Sequence, residues 1–195
     1  MNDTITGYID ASIRALQRLA ADVPLLARLH EAVTCCEEAL LQGGRILFCG
    51  NGGSAADAMH LAGELVGRFN YDRPGMAGIA LTADTSALTA IGNDYGFEQV
   101  FARQVEALGR PGDVLIALST SGQSMNLVRA LEAAARLRLR RIGFTGRDGG
   151  TMATLCEIEL RAPAQETPLI QQQHMVMGHL LCAELERRLH PGRPI

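Results

Sequence analysis

Along the chain, the spacing of hydrophobic positions changes at about residue 43. From about Thr6 to Ala21, Ile9, Ile13, Leu16 and Leu19 recur at steps of three and four, and a second run of this kind follows Pro24 through Leu41. Such spacing gathers apolar side chains on one helical face, so two amphipathic helices are predicted. After Gly43-Gly44 the pattern turns to short continuous apolar runs, each ending in small or polar residues: Ile46–Cys49, Ile79–Leu81, Val114–Leu118, Ile142–Phe144 and Ile158–Leu160. These predict five buried strands. Helical segments lie between them at about 54–68, 85–108, 124–138 and 150–155, and a long last one covers about 168–189. Strand–helix alternation implies a parallel sheet with right-handed crossovers, covered on both faces. The expected fold class is therefore α/β, a three-layer αβα arrangement around a five-stranded parallel sheet.

No repeat, low-complexity stretch or linker divides the chain, so one domain over 1–195 is expected: 1–42 as N-terminal helices used in packing and oligomerisation, 43–195 as the α/β core. A lone domain does not need so long a helical preface, which is expected to pack against a symmetry mate as well as its own sheet. Ligands in such folds bind beyond the carboxyl ends of the strands, which directs attention to the loops that follow them.

Composition removes several classes of function. At 195 residues and 47% hydrophobic content the chain can build one sizeable core. A net charge of -3 with 20% charged residues carries no footprint of a polyanion partner, so nucleic acid is not expected. All 18 of the Lys+Arg residues are Arg; enzymes that need an amine side chain, Schiff-base enzymes and Walker-type NTPases among them, are excluded. The five Cys, at 35, 36, 49, 156 and 182, are odd in number, lack a CxxC spacing and sit in apolar segments. They are expected to be reduced core residues. Met1-Asn2-Asp3-Thr4 lacks the basic start and apolar run of a signal peptide, and no window approaches the ~18 apolar residues of a membrane span. A cytoplasmic protein without membrane contact is the expectation.

Three places carry candidate chemistry. The first strand runs into Gly50-Asn51-Gly52-Gly53-Ser54 and at once into a helix, where glycines let backbone approach a ligand and free amides with the Ser54 hydroxyl can bond an anion. The stretch also nearly matches a dinucleotide fingerprint as Gly50-x-Gly52-x-x-Ala55, but the nearest acid that could hold a ribose, Asp84, comes about thirty residues on rather than about twenty. A structural tight turn is the third possibility. The strongest strand runs into Ser119-Thr120-Ser121-Gly122-Gln123-Ser124, where four hydroxyls and a helix N-terminus suit a phosphate monoester, and N-capping by Ser124 explains only one of the four. Finally, His60 and Glu64 stand four apart on the helix after the first loop, a spacing that fits metal ligation, an acid/base pair or a plain surface contact. Gln171, His174 and His179 on the last helix are a possible complement, with Gln171, Met175 and His179 along one stripe. His30 and His190 are expected to be solvated and inert.

These residues together resemble the sugar isomerase (SIS) domain and, within it, the phosphoheptose isomerases. The resemblance covers nearly the whole chain. Its carriers are Cys49-Gly50-Asn51-Gly52-Gly53-Ser54, Asp57-Ala58-Met59-His60 with Glu64, Ile91 to Phe97, Gly112 to Leu115, Ser119 to Ser124, Thr145 to Gly150, and Ile170-Gln171 with His174 and His179. It implies a flavodoxin-like sheet, a homotetramer with active sites at subunit boundaries, and conversion of D-sedoheptulose 7-phosphate to D-glycero-D-manno-heptose 7-phosphate through an enediol. It also implies one Zn2+ per subunit at His60, Glu64, Gln171 and His179, with Glu64 and His179 as base and acid. Phosphate would sit on Ser119, Thr120, Ser121 and Ser124. The sugar would lie against Asn51, Gly52, Gly53, Ser54 and Asp94, with Glu64 and Gln171 also in contact, and Arg68 is a further substrate contact, in its own or a neighbouring subunit. Two departures stand out: Gln172 where many relatives are acidic, and Thr167-Pro168-Leu169 where charged residues are often seen.

The rival readings keep the fold and drop the chemistry. One is a non-catalytic SIS-domain scaffold that binds the bacterial replication initiator; such relatives lack counterparts of Glu64 and His179, and this chain has both. Leu137-Arg138-Leu139-Arg140-Arg141 would be its acidic-partner or DNA contact, or else simply a solvated helix end. The other is a sugar-phosphate sensor.

Overall fold

A computed structural model describes residues 3–192; residues 1, 2 and 193–195, included in the expected 1–195 domain, lie outside the described residues. Two helices, α1 (Thr4–Ala21) and α2 (Val23–Leu41), precede β1 (Ile46–Gly50), α3 (Gly53–Val66), β2 (Gly78–Ala80), α4 (Thr85–Tyr95), α5 (Ala102–Leu108), β3 (Val114–Leu118), α6 (Met125–Arg136), β4 (Arg140–Thr145), α7 (Met152–Leu155), β5 (Ile158–Arg161) and α8 (Thr167–Leu189). The five strands form one sheet in the order β2-β1-β3-β4-β5, all pairs parallel. This is the three-layer, flavodoxin-like α/β arrangement expected.

Period-two alternation along the buried strands divides the core. Ile46 and Phe48, with Val114, Ile116 and Leu118, pack under α1, α2, α3 and α8; Leu47, Cys49, Leu115 and Ala117 point the other way, under α5 and α6. Strands buried on both faces explain why they read as unbroken apolar runs. Asp22 separates the first two helices: it ends α1, and its carboxylate accepts from Leu25 N at 3.0 Å to begin α2 beside Pro24.

Two expected elements are corrected. The helix predicted over 85–108 is broken, because Gly96 has φ +91, outside the helical region, and a short 3-10 turn at Phe97–Gln99 intervenes before α5. The second strand sits one residue earlier than 79–81, although Leu81 N still donates to Phe48 O at 2.9 Å. The five cysteines are free, and four are buried with Cys156 half-buried; burial raises all of their pKa values. His30 is exposed, as expected, whereas His190 is half-buried, its carbonyl accepting from Tyr71 Oη at 2.9 Å. Arg140 and Arg141 of the basic stretch both pair with Glu157. Among the described residues no helix is long and apolar enough to cross a membrane.

Candidate active site

The order of the sheet puts its switch point between β1 and β3, where Gly50 pairs with Leu118 at the carboxyl ends. Both glycine- and serine-rich loops therefore leave the sheet side by side, at the place where open α/β sheets take ligands.

In the first loop, Gly52 adopts φ +55 and α3 begins at Gly53. Gly53 leaves room for what lies against it: a Cβ there would push aside the side-chain amide of Gln171 on α8. Asn51 reaches across to Asn126 in the first turn of α6, and the two amides exchange hydrogen bonds of 2.9 and 2.8 Å. Ser54 is buried. Asp84, the acid a dinucleotide would need, is spent on capping α4, accepting from Ala87 N at 3.0 Å.

The second loop is closed on itself, with Ser119 Oγ accepting from Gly122 N at 3.1 Å and Gly122 O accepting from Met152 N at 3.0 Å. Ser124 occupies the N-cap of α6, yet its side chain makes no capping hydrogen bond. Its hydroxyl is thus not used up by the helix, which answers the capping alternative. Thr120 and Ser121 are half-buried. Hydroxyls and the start of α6 together form a neutral cradle suited to an anion.

The helix α3 carries His60 and Glu64 on one face, and α8 brings His179 to meet them. His60 Nε2 lies 3.0 Å from His179 Nε2 and 3.2 Å from Glu64 Oε1, and the three donor atoms fall within 4.8 Å of one another. A tetrahedral ion about 2.0–2.1 Å from each such atom would space them by about 3.3 Å, so the donor set fits a divalent metal of the zinc type. Without one, a single proton can lie between the two imidazole nitrogens. The ring of Phe69 packs beside His179, centroids 5.4 Å apart. The stripe Gln171, Met175 and His179 lines an open cavity of about 690 Å³ shared with Gly53, Asp57 and Tyr8. Gln172 Nε2 donates to Tyr8 Oη at 3.1 Å, tying α8 to α1.

Three expected residues stand elsewhere. His174 does not join His179: it is buried on the opposite side of α8, its Nε2 2.8 Å from Thr145 O. A carbonyl only accepts, so the proton is on Nε2 and the buried Nδ1 has no partner; burial pulls the imidazole down to about 4, keeping it neutral. Asp94 is exposed on α4, accepting from Asn93 Nδ2 at 2.8 Å. No hydrogen bond among the described residues joins it to the His60–Glu64–His179 group. Arg68 is likewise exposed.

A model of the SIS domain matches residues 7–146. The phosphoheptose isomerase of Aneurinibacillus thermoaerophilus is 48% identical over 189 residues, 97% of this chain and 96% of its own. Among solved structures, phosphoheptose isomerase from Neisseria gonorrhoeae superposes with a TM-score of 0.88 at 43% identity, covering 93% of this chain and 96% of its own. That from Francisella tularensis gives 0.91 at 38% identity, covering 95% and 98%. The chain belongs to the phosphoheptose isomerases of the SIS-domain family.

Seen as a phosphoheptose isomerase, the chain has two polar features at this site that reasoning from the sequence left without a role, although Asp57 stands in the motif that ends at His60. Asn126 is buried within the α6 turn and locks Asn51; nothing in a one-letter pattern distinguishes it from any helix Asn. Asp57, one turn before His60, has a buried Oδ2 without a hydrogen-bond partner. Burial raises its pKa, and the nearby His60 offsets part of that rise. Its three-residue spacing from His60 was the available signal.

Proposed function

We propose that the chain is an aldose–ketose isomerase that interconverts D-sedoheptulose 7-phosphate and D-glycero-D-manno-heptose 7-phosphate, the first step of ADP/GDP-heptose biosynthesis. The observation that carries this reading is the meeting of Glu64 with the His60–His179 pair, on a helix that leaves the same carboxyl edge of the sheet as the hydroxyl-lined start of α6, in a chain about half identical to curated phosphoheptose isomerases. A replication-initiator scaffold would have no use for that meeting.

The sugar phosphate is held at one end by the Ser119, Thr120, Ser121 and Ser124 hydroxyls and the α6 amides, while Asn51, Ser54 and Asp94 take the sugar hydroxyls. Gly52 and Gly53 let the chain approach closely. Glu64 removes a proton from C1 of the ketose; the electron pair forms the C1–C2 double bond, and the C2 oxygen takes a proton from His179 to give the enediol. In the second half the O1 proton leaves to His179, Glu64 returns its proton to C2, and C1 becomes the carbonyl. Glu64 has two carboxylate oxygens; Oε1 faces His60, and the other is available for the proton. His60, Glu64, Gln171 and His179 would hold a Zn2+ ion, which supplies Lewis-acid polarisation of the carbonyl when bound.

We further propose a cytoplasmic homotetramer with the sites at subunit boundaries. Ile5, Ile9 and Ile13 stand 69, 52 and 49% exposed along α1, and Met59, Val66 and Leu180 are exposed on the helices that carry the site. Apolar surface of this kind calls for a covering partner. Free buried thiols and a phosphorylated substrate fit a reducing, intracellular setting.

The test is turnover of sedoheptulose 7-phosphate by wild type, with and without chelator, beside Glu64→Gln and His179→Ala. Each variant is expected to lose about 10²- to 10⁴-fold in kcat. Activity lost in chelator and restored by Zn2+ would assign the metal; full activity in chelator would leave the reaction to the two side chains. A folded, zinc-supplied wild type without turnover would sink the enzyme reading.

A further inference from the structure

The segment that follows α3 is fastened by an ion pair removed from solvent. The side chains of Arg73 and Glu186 are 1% and 0% exposed, with Nε 3.2 Å from Oε1. Arg73 spends its remaining donors on backbone: Nη1 donates to the carbonyls of Leu65 at 2.7 Å, Gly67 at 3.1 Å and Pro74 at 3.1 Å, and Nη2 to that of Glu64 at 2.7 Å. Glu186 accepts from Phe69 N at 2.8 Å and Asn70 N at 2.6 Å. The guanidinium therefore closes the free carbonyl end of α3, and its partner closes the loop beyond.

Both halves of the candidate acid/base pair are tied to this clasp, one directly and one through Phe69. Glu64 is bonded through its own carbonyl. His179 lies two turns before Glu186 on α8, and its ring packs on Phe69, whose amide Glu186 holds. As a source of stability such a pair is a poor choice, since apolar residues of similar volume often serve a buried position equally well. What it adds over apolar packing is direction: six hydrogen bonds to backbone, at fixed angles, between the end of α3, the 67–75 segment and α8.

We propose that Arg73 and Glu186 are positioning residues of the isomerase site, fixing α3 against α8 so that Glu64 and His179 meet at the separation proton transfer needs. This rests on the reading of those two side chains as base and acid. It predicts that the clasp acts on kcat rather than on substrate affinity, because the phosphate loop belongs to β3 and α6 and is not fastened by it.

The experiment compares the purified full chain with Arg73→Met/Glu186→Leu, which replaces the pair by apolar groups, and with Arg73→Lys, which keeps the charge and loses the fork of donors. Arg188→Met/Glu37→Leu, removing an ion pair between α8 and α2 away from the site, is the control. For the folded clasp variant kcat is expected to fall by about tenfold to a hundredfold with KM within about twofold, with Arg73→Lys in between and the control at the wild-type kcat. The imidazole NMR signals of His179 should shift in the clasp variant while those of His30 stay in place. A folded clasp variant with wild-type kcat and an unmoved His179 overturns the proposal; if the double variant fails to fold, Arg73→Lys with wild-type kcat does so. A wild type without turnover counts against the isomerase reading instead, and the His179 signal then still decides whether the clasp positions that ring.

Discussion

Two regions meet at the carboxyl edge of the sheet, and they are built on opposite plans. The loop after β3 concentrates four hydroxyls and a helix start in six consecutive residues, closed by its own Ser119–Gly122 hydrogen bond. The face between α3 and α8 is assembled from groups 119 residues apart in the chain, His60 and His179, with no covalent neighbour to hold them in register. Binding by a contiguous loop survives small shifts of the surrounding helices. Proton transfer across two helices does not, since misplacement by about 1 Å can cost about a hundredfold in rate.

The largest expected separation of the two regions comes in acid. His174 anchors α8 to the end of β4, and its imidazole is held at about 4 against an ordinary value of 6.5. The unfolded chain binds that proton first, so the stability His174 supports is fully present above pH 6.5, is lost as the pH falls from 6.5 towards 4, and declines no further below. The loss amounts to roughly 3 kcal/mol. Denaturant titrations at pH 7 and pH 4 should show it in the wild type, and His174→Gln, which can still donate to Thr145 O, should flatten the difference. An unchanged pH slope in that variant would remove His174 as the cause.

A smaller effect is expected from Gly53→Ala. The added methyl displaces the amide of Gln171, the mobile end of a long side chain, so stability should change by less than about 1 kcal/mol while kcat falls about tenfold. Melting curves beside steady-state kinetics check both halves of that statement. Smallest are the changes from the loop: Ser121→Ala and Ser124→Ala should each raise KM about fivefold, the worth of ~1 kcal/mol of hydrogen bond, and leave kcat within about twofold. If these serine variants instead lowered kcat at constant KM, the division between the two regions would be wrong.

The same division governs how much was legible in the sequence. The serine loop could be read whole, because its residues are neighbours and a strand runs straight into it. His60 and Glu64 were legible as a pair from helical spacing, and the five strands from their unbroken apolar runs. That His179 rather than His174 faces them was not decided by periodicity, because α8 buries polar Gln173, His174 and Glu186 and leaves apolar Leu180 exposed, so only packing shows which histidine the core swallows. The break at Gly96 was hidden by apolar residues that keep helical phase across it. Arg73 and Glu186 look like two more charged surface positions, since burial of an ion pair depends on contacts 113 residues apart.

The packing of α1 on α8 has a consequence for the order in which the molecule is made. Gln173 Nε2 donates to Ala15 O at 2.6 Å, so the first described helix closes against the last. During synthesis the apolar face of α1 emerges well before α8, the partner it packs against. The serine loop, complete once β3 and α6 exist, can form before that moment. His179 arrives with α8, and until that helix docks the nascent chain has the hydroxyl-lined loop without the imidazole that faces His60 and Glu64. The meeting of α3 and α8 is therefore made later than the serine loop as the chain folds.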